Sequence, residues 1–173
     1  MKTRILTIGT ASVSTLIRCD GIPRPGCTVT AERYSIRPGG RAVISSVAIS
    51  KLGGDSIVCS SVGEDSYAVM LEDFLGSFCV ARRFYVKKNG CHTGYSTIID
   101  TGRDAIIDIP GANLRLSDDD IGEAFTCLPD AALVRCGGAS VGSIIFAVSE
   151  AVRRGVPVVL DLCGVSPDLP LES

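Results

Sequence analysis

A glycine pair, Gly39 and Gly40, stands directly before a stretch with helical periodicity at 41–52. The first N–H groups of a helix have no partner inside it, so glycines at this place often bring the backbone close to a polar or anionic ligand. The side chains that follow, AVISS at 42–46, are small or apolar and offer almost nothing to a polar ligand. The stretch is either a binding site or only the packing around one, and these residues alone leave both interpretations open.

Cysteine and histidine are the other residue types with catalytic or metal chemistry. The chain has eight cysteines, no two of them closer than eight residues, and it has no Cys-x-x-Cys pair. Zinc sites need closer ligands, so buried, reduced thiols are the favoured interpretation. Cys91 and His92 could act as nucleophile and base, but neighbouring residues on a strand point to opposite faces. A surface or edge histidine is therefore expected, and no metal ligand is predicted.

Two further features resemble catalytic elements. The glycine-rich segment 137–142 lies between a predicted strand and a predicted helix, as a phosphate loop would. It lacks the Lys-Ser/Thr of a P-loop and the spacing of a dinucleotide fingerprint, which favours an ordinary turn. Asp161 and Asp168 are interpreted as a strand-end residue and a solvated residue. No catalytic or cofactor-binding residue is predicted from these features.

Composition narrows the class of protein. The 173 residues are 46% hydrophobic and 21% charged, which suits one compact α/β domain spanning 1–173. With 17 basic and 19 acidic residues the net charge is −2, so neither nucleic acid nor a membrane is an expected partner. The apolar run near the N-terminus, at 5–9, is too short for a typical signal peptide and predicts a first strand. A cytoplasmic protein is expected.

Hydrophobic periodicity and turn residues set the order of the elements. Strands are predicted at 5–9, 13–19, 29–36, 56–62, 80–86, 93–100, 105–109, 131–135 and 156–162. Helices are predicted at 41–52, from an N-cap at Asp65 or Ser66, from a capping box of Ser117 with Asp120, and at 142–153. Gly53-Gly54 is expected to end the helix at 41–52, whose apolar positions are Val43, Val47 and the pair Ile44/Ala48, and the next helix carries Val69, Leu71, Phe74 and Leu75.

This alternation predicts an α/β sheet with helices on its faces. Two insertions, near 13–36 and 92–110, have antiparallel patterns and are expected to pair as a small accessory sheet. Ligands of open α/β sheets bind beyond the carboxyl ends of the strands. Gly39-Gly40 and the turn at 111–113 are therefore predicted to be walls of a cleft.

Six short motifs follow one another along the chain: Gly9 after the first strand, the turn Pro25-Gly26, Gly39-Gly40-Arg41, Val62-Gly63-Glu64-Asp65, Thr93-Gly94 and Gly111-Ala112-Asn113. In this order and spacing they resemble the ribokinase-like (PfkB) carbohydrate kinases, whose signatures include Gly-Gly-Lys-Gly, Val-Gly-x-Asp and a Gly-Ala-Asn turn. The resemblance implies a ribokinase-like, Rossmann-like sheet flanked by helices, with a small antiparallel β lid.

The resemblance also implies an activity, which is phosphoryl transfer from ATP, with Mg²⁺, to a hydroxyl of a sugar or nucleoside. The lid would cover the sugar, and in many relatives it also forms a dimer interface, so a homo-oligomer through the lid or through an exposed sheet edge is expected. By resemblance the substrate-binding residues are Gly39, Gly40 and Arg41, the last in place of the family's Lys.

The chain departs from the family pattern at most of the positions that bind sugar. Ser12 and Ser14 replace an Asn and an Asp, Ile44 replaces an Asn, Ala42 replaces a Gly, and Gly138 stands where a polar or acidic residue is common. The family's Gly-Ala-Gly-Asp motif, with its catalytic base and anion hole, does not occur in the sequence. The chain thus resembles the N-terminal portion only, without the nucleotide-binding half.

Three hypotheses follow from these departures. The first is a truncated family member that is inactive as an isolated chain and in which ATP binding is doubtful. The second is a kinase that works with a partner chain supplying the nucleotide half. The third is a non-catalytic oligomerisation or binding module that uses the lid sheet.

Overall fold

The structure is a computed structural model that describes residues 2–135 and 140–161. Asp168 and residues 137–139 of the glycine-rich segment, among them Gly138, lie outside these residues. In chain order the elements are β1 (Arg4–Ile8), β2 (Ser12–Arg18), β3 (Arg33–Gly39), α1 (Arg41–Lys51), β4 (Asp55–Val62), α2 (Ser66–Ser77), β5 (Ala81–Lys87), β6 (Gly94–Asp100), β7 (Asp104–Ile109), α3 (Asp118–Ala124), β8 (Ala131–Arg135), α4 (Val141–Arg153) and β9 (Val158–Asp161). Short 3-10 helices occupy Gly111–Arg115 and Phe125–Cys127.

The main sheet has five strands in the order β5-β4-β1-β8-β9, and every neighbouring pair is parallel. Its central strands are almost continuously buried, as expected when helices cover both faces. The strand predicted at 80–86 belongs to this sheet as β5, paired in parallel with β4. The predicted α/β sheet with flanking helices is confirmed.

The second sheet has four strands in the order β3-β2-β6-β7. It joins the two insertions that the sequence predicted, since β3 pairs with β2 and β7 with β6, both antiparallel. The join itself, between β2 and β6, is parallel, which the antiparallel patterns did not predict. The strand predicted at 29–36 is displaced, because β3 begins at Arg33 and continues through Pro38 to Gly39. Proline is tolerated there because β3 is an edge strand.

Two hydrophobic clusters hold the layers together, one on each face of the main sheet. The first packs α3 and α4 against the sheet, and the second packs α1 and α2 against the opposite face and reaches Val13 of β2. The inward residues of α1 are Ala42, Val43, Ser46 and Val47, whereas Ile44 and Ala48, which belong to the apolar periodicity of the helix, are exposed. On α2 the inward residues are Ala68, Leu71 and Leu75, and Val69 is half-exposed.

The helix ends follow local chemistry. The amides of Gly53 and Gly54 donate to the carbonyls of Ser50 and Ile49, which is the Schellman pattern that ends α1 at the predicted glycines. Ser117 and Asp120 form the predicted capping box of α3. The N-cap of α2 is Asp65, whose side chain accepts from the Ala68 amide. In residues 2–135 and 140–161 no helix has the length and apolar character needed to cross a membrane.

Candidate functional site

The chain passes between the two sheets four times: after β1, after β3, before β6 and after β7. Each of these crossings carries one of the motifs that the sequence analysis singled out. At some crossings two backbone segments lie so close together that only glycine fits between them. At others a polar side chain hydrogen-bonds to the backbone of a neighbouring segment. The motifs therefore have a structural role, which is to fix the second sheet on the main domain.

Gly40 lies at the crossing from β3 into α1. Its φ is 90°, and a Cβ there would lie 2.5 Å from the Thr10 carbonyl oxygen and 2.6 Å from the Ala11 Cα, so only glycine fits. Thr10 then caps α1, because its hydroxyl accepts from the Arg41 amide at 3.0 Å and its carbonyl from the Ala42 amide at 3.1 Å. Two amides at this helix N-terminus are thus already bound within the protein.

Asn113 joins the crossing after β1 to the crossing after β7. Its side chain accepts from the Ala11 amide at 2.8 Å and donates to the carbonyls of Ala11 and Pro110, both at 2.9 Å. Gly94 leaves room for this contact, since a Cβ there would lie 2.2 Å from the Asn113 Nδ2. The Gly-Ala-Asn turn, predicted as a wall of a cleft, is therefore a buried clamp between distant segments.

Asp65 anchors the segment that enters β6. Its carboxylate accepts from the Thr93 amide at 2.8 Å and from the Thr93 hydroxyl at 2.6 Å, in addition to capping α2. The Gly63 amide donates to the Thr93 Oγ1 at 3.1 Å. Burial by itself would raise the pKa of Asp65, but the hydrogen bonds from Thr93 and Ala68 outweigh it and hold that pKa below its usual value. The carboxylate is ionised in this arrangement.

Cys91 and His92 do not form a nucleophile–base pair. The Cys91 thiol donates to the Lys88 carbonyl at 3.2 Å, and the His92 side chain is 94% exposed, as expected for a surface histidine. His92 contributes its backbone instead, because its carbonyl accepts from the Ala112 amide at 2.8 Å and lies where a Cβ of Gly111 would stand. The segment belongs to the crossing before β6 and binds the crossing after β7.

One face of the second sheet carries hydroxyl groups and is named here the polar face. It bears Ser12 and Ser14 of β2, Gly39 of β3 and Ser96 of β6, because residues paired across strands point to the same side. The Ser14 and Ser96 hydroxyls lie 2.7 Å apart and share a hydrogen bond, and a Cβ on Gly39 would lie 3.1 Å from the Ser14 Oγ. Ser96 was missed by the sequence analysis, since only the pairing of β2 with β6 brings it here.

The opposite face is named the apolar face and carries Val13, Ile36, Tyr95 and Ile107. Near the main domain it packs on α2, where Tyr67 and Tyr95 stack with ring centroids 5.5 Å apart. Farther out its residues are exposed, including Tyr34 at 72% and Ile107 at 60%. The polar face is therefore the face turned away from α2. Its end nearest the main domain, at Gly39, adjoins the start of α1.

Three of the positions named by resemblance differ in their surroundings. Ala42 is fully buried in the core under α1, so this replacement of a glycine does not face the cleft. Ile44 is 49% exposed and lies on α1 one turn beyond Gly40. Arg41 is partly exposed at the first position of α1.

The part of the chain that the structure describes contains no cluster of metal-ligating side chains. Magnesium needs carboxylate oxygens together with substrate phosphates. Within residues 2–135 and 140–161 no group of three His, Cys, Asp or Glu side chains could hold a metal ion. The groups at the base of the polar face are hydroxyls, and in the same residues no acidic side chain hydrogen-bonds to Ser12, Ser14 or Ser96.

Comparisons with known proteins agree with this geometry. Residues 2–164 match the model of the pfkB family carbohydrate kinases. The ribokinase of Arabidopsis thaliana is 26% identical over 178 residues, which cover 97% of this chain and 46% of the relative. A deoxyribokinase of Salmonella typhi is 27% identical and covers 91% of this chain and 52% of the relative. The chain thus spans about half the length of these curated relatives.

Solved structures show the same fold. The structure of Arabidopsis thaliana ribokinase complexed with ribose and ATP superposes with a TM-score of 0.83 at 22% identity and covers 95% of this chain and 55% of that chain. A nucleoside kinase of Burkholderia thailandensis in complex with inosine gives a TM-score of 0.77 at 19% identity and covers 91% and 51%. From the match over 2–164 and the shared fold, the chain belongs to the pfkB family of carbohydrate kinases.

Proposed function

We propose that this chain is the substrate-side half of a sugar or nucleoside kinase and that it does not transfer phosphate by itself. The observation that carries this proposal is the set of side chains on the polar face, which offers hydroxyl groups and no hydrogen-bonded carboxylate among the described residues. Ser14 and Ser96 offer hydroxyls beside Gly39, which suits contact with substrate hydroxyl groups. By resemblance Gly39, Gly40 and Arg41 contribute to the same site.

A kinase also needs a base for the attacking hydroxyl and groups that neutralise the transferring phosphoryl. In the described residues the hydroxyls of the polar face hydrogen-bond to each other and not to a carboxylate. Binding of a neutral sugar should also be weak, since each hydroxyl left without a partner costs roughly 1–3 kcal/mol. We infer that the complete reaction uses ATP and Mg²⁺ as cofactors. The groups that bind them and the catalytic base are not those of the polar face.

The test is a calorimetric titration of the purified chain with ATP–Mg and with a panel of sugars and nucleosides, together with an assay for ADP formation. We expect no ADP formation and no micromolar binding of ATP. Micromolar ATP binding, or sugar-dependent ADP formation by the chain alone, would contradict the proposal. ADP formation that appears only after a second purified chain is added would support a two-chain kinase.

A second candidate function is self-association through the apolar face. It exposes Tyr34 and Ile36 on β3 and Ile107 and Ile109 on β7, the two edge strands of the second sheet, and large apolar side chains exposed on one face mark interaction sites. We expect a ligand-free homodimer in analytical ultracentrifugation that Tyr34→Ser with Ile107→Ser returns to monomer. A parent chain that sediments as a monomer at high micromolar concentration contradicts it.

We further infer a cytoplasmic location. Six described cysteines, at positions 19, 27, 59, 79, 91 and 127, are free thiols, and free thiols persist in reducing compartments. Fractionation of cells that express a tagged chain tests this location.

A further inference from the structure

Positive charge lines the β3 side of the polar face. Arg33 and Arg37 of β3 lie on this face with Arg18 of β2, because β3 pairs Arg33 with Arg18 and Arg37 with Ser14. The groove that they line has a volume of about 170 Å³. The rest of its lining is Leu16, Tyr34, Ser35 and Asp100.

The charges of this groove are only partly balanced. The Arg18 guanidinium lies 3.7 Å from carboxylate oxygens of both Glu32 and Asp100. In the part of the chain that the structure describes, Arg33 and Arg37 have no ion pair, and both are exposed. Counting Arg18, Arg33 and Arg37 against Glu32 and Asp100 leaves a net charge of +1, and the excess positive charge lies on the β3 side of the groove.

Asp100, the acidic residue that lines the groove on this face, pairs with Arg18, and the other two acidic residues of the face are farther from β3. Asp104 and Asp108 lie on β7, which is three strands away from β3. At a strand spacing of about 4.8 Å this separation is roughly 14 Å. Charges so far apart are largely screened at physiological ionic strength, where the Debye length is about 8 Å.

Arg37 stands beside the hydroxyl pair. It is the cross-strand partner of Ser14, whose hydroxyl meets that of Ser96, and it lies two residues from Gly39, or about 7 Å along the strand. A ligand whose hydroxyls contact this serine pair can place an anionic group on the Arg37 guanidinium. Guanidinium binds phosphate oxygens in a bidentate manner, with shorter and stronger hydrogen bonds than neutral donors form.

We propose that the substrate of this site is a phosphorylated sugar, whose phosphomonoester is bound by Arg37. The inference rests on the proposed function, since it names the substrate class of the same site. It accounts for the small number of hydroxyl-binding groups near Gly39, because an ion pair with the phosphate supplies affinity that serine hydroxyls do not.

The experiment is a calorimetric titration of the 173-residue chain, without ATP, using ribose, ribose 5-phosphate and inorganic phosphate as probes. We expect ribose 5-phosphate to bind at least tenfold more tightly than ribose and to lose this advantage in Arg37→Gln. The matched control is Arg103→Gln, an exposed arginine in the turn between β6 and β7, which should leave all three affinities unchanged. Thermal melts verify that both variants fold.

The outcomes separate this inference from the proposed function. Equal affinity for ribose and its phosphate, no binding of the phosphate, or a phosphate advantage that persists in Arg37→Gln overturns the inference and leaves the proposed lack of catalysis intact. Ribose-dependent ADP formation contradicts the proposed function without touching the anion site. Binding of inorganic phosphate as tight as that of ribose 5-phosphate overturns the sugar part of the inference.

Discussion

The carboxylate of Asp65 holds Thr93 by two hydrogen bonds, one to its amide at 2.8 Å and one to its hydroxyl at 2.6 Å. The same carboxylate caps α2 through the Ala68 amide. One side chain thus joins a helix of the main domain to the segment that starts the second sheet. Since both segments depend on it, the position of the polar face depends on the ionised form of Asp65.

Asp65→Asn should destabilise the chain, because an amide nitrogen cannot accept the hydrogen bonds that the second carboxylate oxygen accepts. We expect a loss of about 1–3 kcal/mol in the free energy of unfolding at pH 7, measured by urea denaturation. Asp73→Asn is the control, since Asp73 is exposed on the same helix. Equal stability of the Asp65 variant and the parent would contradict this role.

The effect should depend on pH in a definite direction. The pKa of Asp65 is lower in the folded chain than its usual value near 3.9. Its contribution to stability is therefore fully present above about pH 4 and is lost as the pH falls through the folded pKa. The difference in unfolding free energy between the parent and Asp65→Asn should shrink below pH 4, and a difference that stays constant down to pH 2 would contradict the assignment.

Gly40→Ala should be far more damaging than Gly53→Ala. Both glycines have φ near +90°, but a Cβ on Gly40 meets backbone at 2.5 Å while nothing lies within 4 Å of a Cβ on Gly53. The left-handed backbone alone costs roughly 1–2 kcal/mol, and the clash at Gly40 adds about 1–3 kcal/mol or more. Urea denaturation of the two variants isolates the clash, and equal losses would show that Gly40 is needed only for its φ.

Asn113→Ala should remove about 3 kcal/mol of stability, since it leaves the Ala11 amide and two carbonyls without their partner in a buried place. Amide hydrogen exchange at Ala11 should become faster in the variant. Asn89→Ala, at an exposed asparagine, is the control. An unfolding free energy within about 0.5 kcal/mol of the parent would contradict the clamp.

The sequence predicted best what depends on neighbouring residues. The ends of α1 at Gly53-Gly54 and of α3 at Ser117 follow from chemistry within a few positions. The partnership of Asn113 with Ala11 spans 102 residues, and the meeting of Ser14 with Ser96 needs the parallel pairing of β2 and β6. A local sequence pattern does not indicate such long-range contacts. The resemblance to a family therefore identified these motifs but not the contacts that they make.

The inward face of α1 shows a second kind of limit. Hydropathy alone would rank Ile44 ahead of Ser46 as an inward residue, yet Ser46 is fully buried and Ile44 is half-exposed. Ser46 is tolerated inside because its hydroxyl shares a hydrogen bond with that of Thr7 on β1. A buried polar pair of this kind reverses the order that hydropathy predicts.

Ile44→Asn tests whether that exposed position belongs to the substrate site. By resemblance an asparagine at this place contacts the sugar, and Ile44 is 49% exposed, so the change should cost little stability. One added hydrogen bond, worth about 1 kcal/mol, should tighten binding of ribose roughly fivefold in an NMR titration that detects millimolar affinity. Val69→Asn, at a residue of α2 that is 51% exposed, is the matched control and should not change ribose binding. If Ile44→Asn binds ribose no more tightly than the parent or the control variant does, Ile44 lies outside the substrate site.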